Sequence, residues 1–116
     1  MRQPDLRSAT VEMYEWGEVR WLHAAENGAE KLTVGEMVIN PGGRNLPHYH
    51  PNCEEVLYVL SGELDHTFEG SKPIRLKAGR SVLVPPGMTH HSKCVGRVAA
   101  RMLVAYSSPN HQVVEA

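Results

Sequence analysis

Cysteine is scarce in this chain: Cys53 and Cys94 are the only two in 116 residues, too few for the disulfide framework of a small secreted domain. No apolar run approaches the roughly 18 to 20 residues that a membrane-spanning helix needs, and residues 1–7 lack the apolar stretch of a secretory signal. A reducing, cytoplasmic setting is the resulting expectation. Neither sign of charge is in excess, with 12 Lys plus Arg against 13 Asp plus Glu and a pI near 6.6. Such a balance supplies no broad basic field for nucleic acid or an anionic membrane, which leaves a small molecule or a second copy of the chain as the expected partner. Sustained helical periodicity is missing as well.

What recurs instead are short β-prone runs between Gly and Pro punctuation, the pattern of an all-β domain. Strands are predicted over 18–23, 32–40, 55–60, 64–68, 74–76, 81–84, 90–94 and 98–106, enough for a sandwich or barrel. Pro41-Gly42-Gly43, Ser61-Gly62, Glu69-Gly70-Ser71 and Ala78-Gly79 supply the turns, and Pro85-Pro86-Gly87 ends a strand because proline cannot donate to a ladder. The length suits one domain able to bury its own core, so a bound metal would be functional rather than a requirement for folding. Residues 1–15 read as an arm for a partner subunit, 16–107 as the barrel, and 108–116 as a polar, peripheral tail.

His48, Tyr49 and His50, then Glu55, and much later His90, carry the chemistry. In a strand alternate residues share a face, so His48 and His50 can reach one ion while Tyr49 points away. Glu55 follows the Pro51-Asn52-Cys53 turn, with Glu54 facing outward, and His90 arrives from a distant strand. Three imidazoles and a carboxylate form a nitrogen and oxygen donor set suited to one divalent transition metal per chain: Mn, Fe, Co, Ni, Cu or Zn.

From Gly42 the chain reads five residues, His48-x-His50, four residues, Glu55, six residues and Gly62, which resembles the first motif of the cupin superfamily. From Gly79 it reads five residues, Pro85-x-Gly87, two residues and His90, similar to the second cupin motif. An Asn usually follows that histidine by four positions; here it is Cys94. Arg80 stands where many cupins carry Asp. The intermotif segment, 63–78, is short, as in small single-domain cupins. The resemblance implies a double-sheet jelly-roll barrel with the metal near one mouth, held by His48, His50, Glu55 and His90, and a homodimer.

Strand alternation nominates further residues. His66 shares a face with Leu64 and Phe68, and reads either as a substrate contact or general acid/base or as a histidine against the outer sheet or subunit interface. Ser92 and Cys94 share the face of His90, while His91 points the other way. Cys94 reads as a small buried hydrophobe or as a thiol at the pocket wall. Arg101 interrupts an apolar run: directed inward it would bind a substrate carboxylate, directed outward it pairs with an acid at the rim. Tyr49, Tyr58, Trp16 and Trp21 are expected at subunit contacts.

Four protein ligands leave about two positions of an octahedral site open, which favours catalysis over a sealed structural site. The leading expectation is a metal-dependent enzyme acting on a small oxygen-rich metabolite, either a dioxygenase or an isomerase or lyase with the metal as Lewis acid. A sensor or binding module that recognises a ligand without transforming it is the alternative.

Overall fold

The computed structural model describes residues 1–116. Eleven strands, β1 (Thr10–Tyr14), β2 (Gly17–His23), β3 (Thr33–Ile39), β4 (His48–Tyr49), β5 (Glu55–Ser61), β6 (Glu63–Phe68), β7 (Ile74–Lys77), β8 (Ser81–Val84), β9 (His90–Val95), β10 (Ala100–Tyr106) and β11 (Val114–Glu115), are joined by turns and one short 3-10 segment, Ala25–Asn27. They form two antiparallel sheets, in the order β1-β2-β3-β10-β5-β8 and β11-β4-β9-β6-β7, facing one another as a jelly-roll barrel. No helix is long and apolar enough to cross a membrane.

All eight predicted strands are present, and β1, β4 and β11 are additional. Every residue of β1 is exposed, so the alternation that betrays a half-buried strand is absent there. Its five residues nevertheless pair with β2 in register from Thr10 opposite Trp21 to Tyr14 opposite Gly17. The expected arm of residues 1–15 is therefore in part the edge strand of this chain's own larger sheet. The tail is largely exposed but tied down: β11 pairs with β4 at the sheet edge, and Ala25 and Asn52 hold the preceding residues through bonds to the Pro109 and Asn110 carbonyls.

Strict alternation in β5, β9 and β10 points every second side chain inward. Going along β5 the inward series is Glu55, Leu57, Val59; along β9 it is His90, Ser92, Cys94; along β10, read backwards, it is Tyr106, Val104, Met102, Ala100. The interior is thus graded, with an apolar plug at one end and a polar cluster at the other. Gly62, between β5 and β6 at the apolar end, has φ 79°, and a Cβ there would lie 2.8 Å from the Ala100 Cα, so backbone and contact both exclude a side chain. Both cysteines are free and buried, Cys94 in the plug and Cys53 near Glu55 at the polar end.

Candidate metal centre

Register brings the four donors together from both sheets. His48 lies opposite His90 across β4 and β9 in the smaller sheet, while Glu55 begins β5 in the larger one, opposite Tyr106. His50 follows the end of β4 rather than lying within a longer strand, yet its ring stands 5.0 Å from that of His48 and 5.5 Å from that of His90. One ligating atom from each of His48, His50, Glu55 and His90 lies within 4.8 Å of all the others. Glu54 is exposed, as alternation required.

His50, Glu55 and His90 are each no more than 3% exposed, and His48 is partly buried. His48 Nδ1 donates to the Leu46 carbonyl at 2.7 Å and His50 Nδ1 to the Gln112 carbonyl at 2.8 Å. Each bond places the proton of the neutral ring on Nδ1 and leaves an Nε2 lone pair, as second partners of metal-bound histidines commonly do. His50 Nε2 then faces Glu55 Oε1 at 3.1 Å, and His90 Nε2 lies 3.3 Å from the same oxygen. None of these three atoms has a hydrogen-bond partner. Buried lone pairs aimed at one another are unfavourable unless a cation lies between them. An ion with bonds of about 2.1 Å sets neighbouring octahedral donors about 3.0 Å apart, close to both separations. The residues therefore fit a transition metal, with a net charge of −1 from the carboxylate when the rings are neutral.

Electrostatics agree with that state for two of the ligands. Burial lowers His48 to about 4, with the neighbouring rings of His90 and His50 adding to it, so the ring is neutral at physiological pH. Burial alone would raise the Glu55 carboxyl, but the nearby His50 and His90 rings outweigh it and bring it to about 2.

A cavity of about 310 Å³ opens over His48 and His50. Its walls are Tyr14 and Trp16 before β2, Trp21 on β2, Tyr106 on β10, and His111 and Val113 of the tail. Trp16 stacks on Tyr14 at 4.6 Å, and His111 stacks on Tyr106 at 3.9 Å with rings only 10° from parallel. Trp21 donates from Nε1 to Glu12 at 2.9 Å. Trp21 belongs to the core and Trp16 packs partly buried against it, both in the pocket wall, whereas Tyr58 is exposed on the outer face of the larger sheet.

The remaining predicted residues fall elsewhere. His66 does face inward and is wholly buried, with Nδ1 hydrogen-bonded to Ser92 Oγ at 2.7 Å and its ring 5.2 Å from that of His90. It lies beside the ligands but does not line the cavity. Burial, and then the His90 charge, lowers it to about 4. Ser92 is likewise buried behind the ligands, its N–H donating to Asn45 Oδ1 at 2.8 Å. Cys94 is a core hydrophobe, 1% exposed and paired with Leu64 across β9 and β6, and does not border the cavity. Arg101 points outward and grips Glu36 with two nitrogens at 3.0 to 3.1 Å, because Ala100, Met102, Val104 and Tyr106 take every inward position of β10. None of Arg101, Ser92 and Cys94 is therefore a wall of this pocket.

His111, Tyr106 and Asn45 are among the cavity residues that sequence reasoning missed. Tyr106 was readable as the next inward position of β10. His111 had no local signal: it is one imidazole in a polar tail, placed by ring contacts with Trp21, His50 and Tyr106. Burial, followed by the His50 charge, lowers the His111 ring, and burial with the Glu55 charge raises the Tyr106 phenol well above its usual range.

The family model described as "Cupin domain" matches residues 35–106. Over 76 residues the chain is 36% identical to the polyketide synthase CurC of Streptomyces cyaneus, covering 66% of this chain and 49% of that protein. Over 90 residues it is 36% identical to oxalate oxidase GF-2.8 of Triticum aestivum, covering 72% of this chain and 40% of that one. It spans about half the length or less of these relatives. The polyketide cyclase RemF of Streptomyces resistomycificus superposes with a TM-score of 0.86 at 20% identity, over 100% of this chain and 85% of its own, which supports the fold alone. With the family match spanning β3 to β10 and the donors of both motifs meeting at one end of the barrel, the chain is a member of the cupin family.

Proposed function

We propose that this protein is a metal-dependent enzyme in which His48, His50, Glu55 and His90 hold one transition metal and the adjoining cavity takes a small, flat, oxygen-rich metabolite. One observation carries the reading: partnerless buried atoms of His50, Glu55 and His90 converge next to an aromatic-walled cavity that His48 and His50 line. A bound metal supplies a Lewis acid that polarises a carbonyl or enol oxygen. Tyr14, Trp16 and Trp21 offer faces on which a planar molecule can stack. The cavity is lined by no Lys or Arg, and Glu12 and Glu115 stand at its wall, an arrangement poorly suited to a compact dianion held by protein cations.

His111 is the imidazole in the cavity wall that is not a proposed ligand, and we assign it the proton-handling role rather than His66. Its lowered titration leaves it neutral and able to accept a proton beside a polarised carbonyl. That role favours isomerisation, elimination or cyclisation over oxidative cleavage, and likeness to a polyketide synthase supports the same direction. Protein reconstituted in turn with Mn, Fe, Co, Ni, Cu and Zn would be incubated with phenolic, dicarbonyl and polyketide-like compounds, with and without oxygen. Equal turnover without oxygen fits the reading; turnover with stoichiometric oxygen uptake makes the protein a dioxygenase. A ligand bound at the metal and recovered unchanged makes it a sensor.

We also propose a homodimer. The outer face of the larger sheet exposes Val56, Tyr58 and Leu60 on β5, Leu83 on β8 and Leu103 on β10, and the register sets Tyr58 beside Leu103 and Val56 beside Leu83. A continuous apolar strip on one face suits isologous pairing with a second copy.

A further inference from the structure

His50 owes its ring orientation to a residue that is not part of the ligand set. The carbonyl that accepts from His50 Nδ1 belongs to Gln112, sixty-two positions later, in a segment without regular structure. That segment is fastened at one side chain. Asn52, two residues past His50, accepts from the Gln112 N–H through Oδ1 at 2.9 Å and donates through Nδ2 to the Asn110 carbonyl at 3.0 Å. The same tail closes on β4 through β11, and Ala116 N–H donates to the Pro47 carbonyl at 3.1 Å. The last turn of chain before β11 is thereby tied to the loop between two ligands, and His111 is seated on Tyr106 by the same tie.

We propose that Asn52 is a positioning residue of the metal centre: it fastens the C-terminal strap so that the Gln112 carbonyl holds the His50 proton on Nδ1 and aims Nε2 at the ion. The proposal rests on the metal-centre reading above but not on any reaction. Groups that orient a ligating histidine in this way typically contribute 10-fold to 100-fold in metal affinity. By linkage, strap docking and metal binding strengthen one another by the same factor.

The test uses full-length protein, Asn52→Ala, Asn52→Asp and Gln112→Pro, with Co(II) alone as probe. Affinity is read by competition with a chelator. In metal-free protein, long-range proton–nitrogen correlation reads which ring nitrogen of His50 carries the proton. Asn52→Ala and Gln112→Pro are expected to bind Co(II) 10-fold to 100-fold more weakly and to lose the single Nδ1 tautomer. Asn52→Asp keeps the acceptor for Gln112 and falls between. Wild-type affinity and an unchanged tautomer in Asn52→Ala overturn the proposal, as does weakened affinity with the tautomer intact, which marks a merely structural role. If the wild type binds no Co(II), the metal reading fails, and the tautomer alone decides whether the strap governs His50.

Discussion

Replacing His50 by Ala removes a ring that is 2% exposed and separates the cost to the fold from the cost to the metal. Without metal, the loss of a buried ring and the stranding of the Gln112 carbonyl cost about 3 kcal/mol together. A domain of this length unfolds with an entropy that makes 1 kcal/mol worth about 4 °C, so the variant melts about 12 °C lower in chelator. At a free metal concentration a thousand times its dissociation constant, the wild type gains about 4 kcal/mol, or about 17 °C. If the lost ligand weakens binding about 100-fold, the variant gains only about 1.4 kcal/mol, or about 6 °C. The two melting temperatures should therefore move from about 12 °C apart in chelator to about 23 °C apart in metal. Scanning calorimetry in both conditions, with metal content measured on the same samples, gives the four numbers. Equal metal-induced shifts in both proteins would falsify the four-ligand assignment.

Four further outcomes are expected. In metal-free protein, unfolded histidines take up protons near pH 6.5 whereas folded His66 and His48 do so only near 4; the unfolded state then holds more protons, and stability present above pH 6.5 is lost as the pH falls towards 4. For His66 the full loss is about 3 kcal/mol by urea titration, and a His66→Leu variant that keeps the whole slope refutes the assignment. His111→Phe should retain the stack on Tyr106 and the metal while turnover falls about 100-fold or more; unaltered turnover removes His111 from the reaction. Arg101→Met should cost at most about 1 kcal/mol and leave ligand affinity unchanged, since the guanidinium meets Glu36 outside the barrel; loss of ligand binding would return Arg101 to the pocket. Leu103→Lys should yield monomer by light scattering, and a dimer that persists places the subunit contact elsewhere.

The barrel and the cluster of four candidate donors were legible because both are encoded locally. The spacing of His48, His50 and Glu55 and of Gly79, Pro85, Gly87 and His90 carries the donor set, and apolar alternation marks eight strands with ends shifted by no more than two residues. Alternation also contained the answer for Arg101, since Ala100, Met102, Val104 and Tyr106 already claim the inward face. What stayed hidden lacks any local pattern. Edge strand β1 buries none of its residues, and the two-residue strands β4 and β11 are too short for a period. His111 and Gln112 gain their positions from Trp21, Tyr106, Asn52 and His50, partners that a polar tail gives no means to foresee.

The graded interior separates two tasks along the chain as well as along the barrel axis. The proposed ligands come from residues 48 to 90, at the head of strands whose far ends form the apolar plug. Most of the cavity wall comes from outside that span, from residues 12 to 21 at one terminus and 106 to 115 at the other. The candidate donors and most of the cavity wall are thus written in different stretches of sequence. The exposed wall residues Tyr14, Val113 and Glu115 can vary without emptying a core position, whereas Trp21 and Tyr106 serve core and wall together, so variation in the pocket's shape is confined to its outer rim.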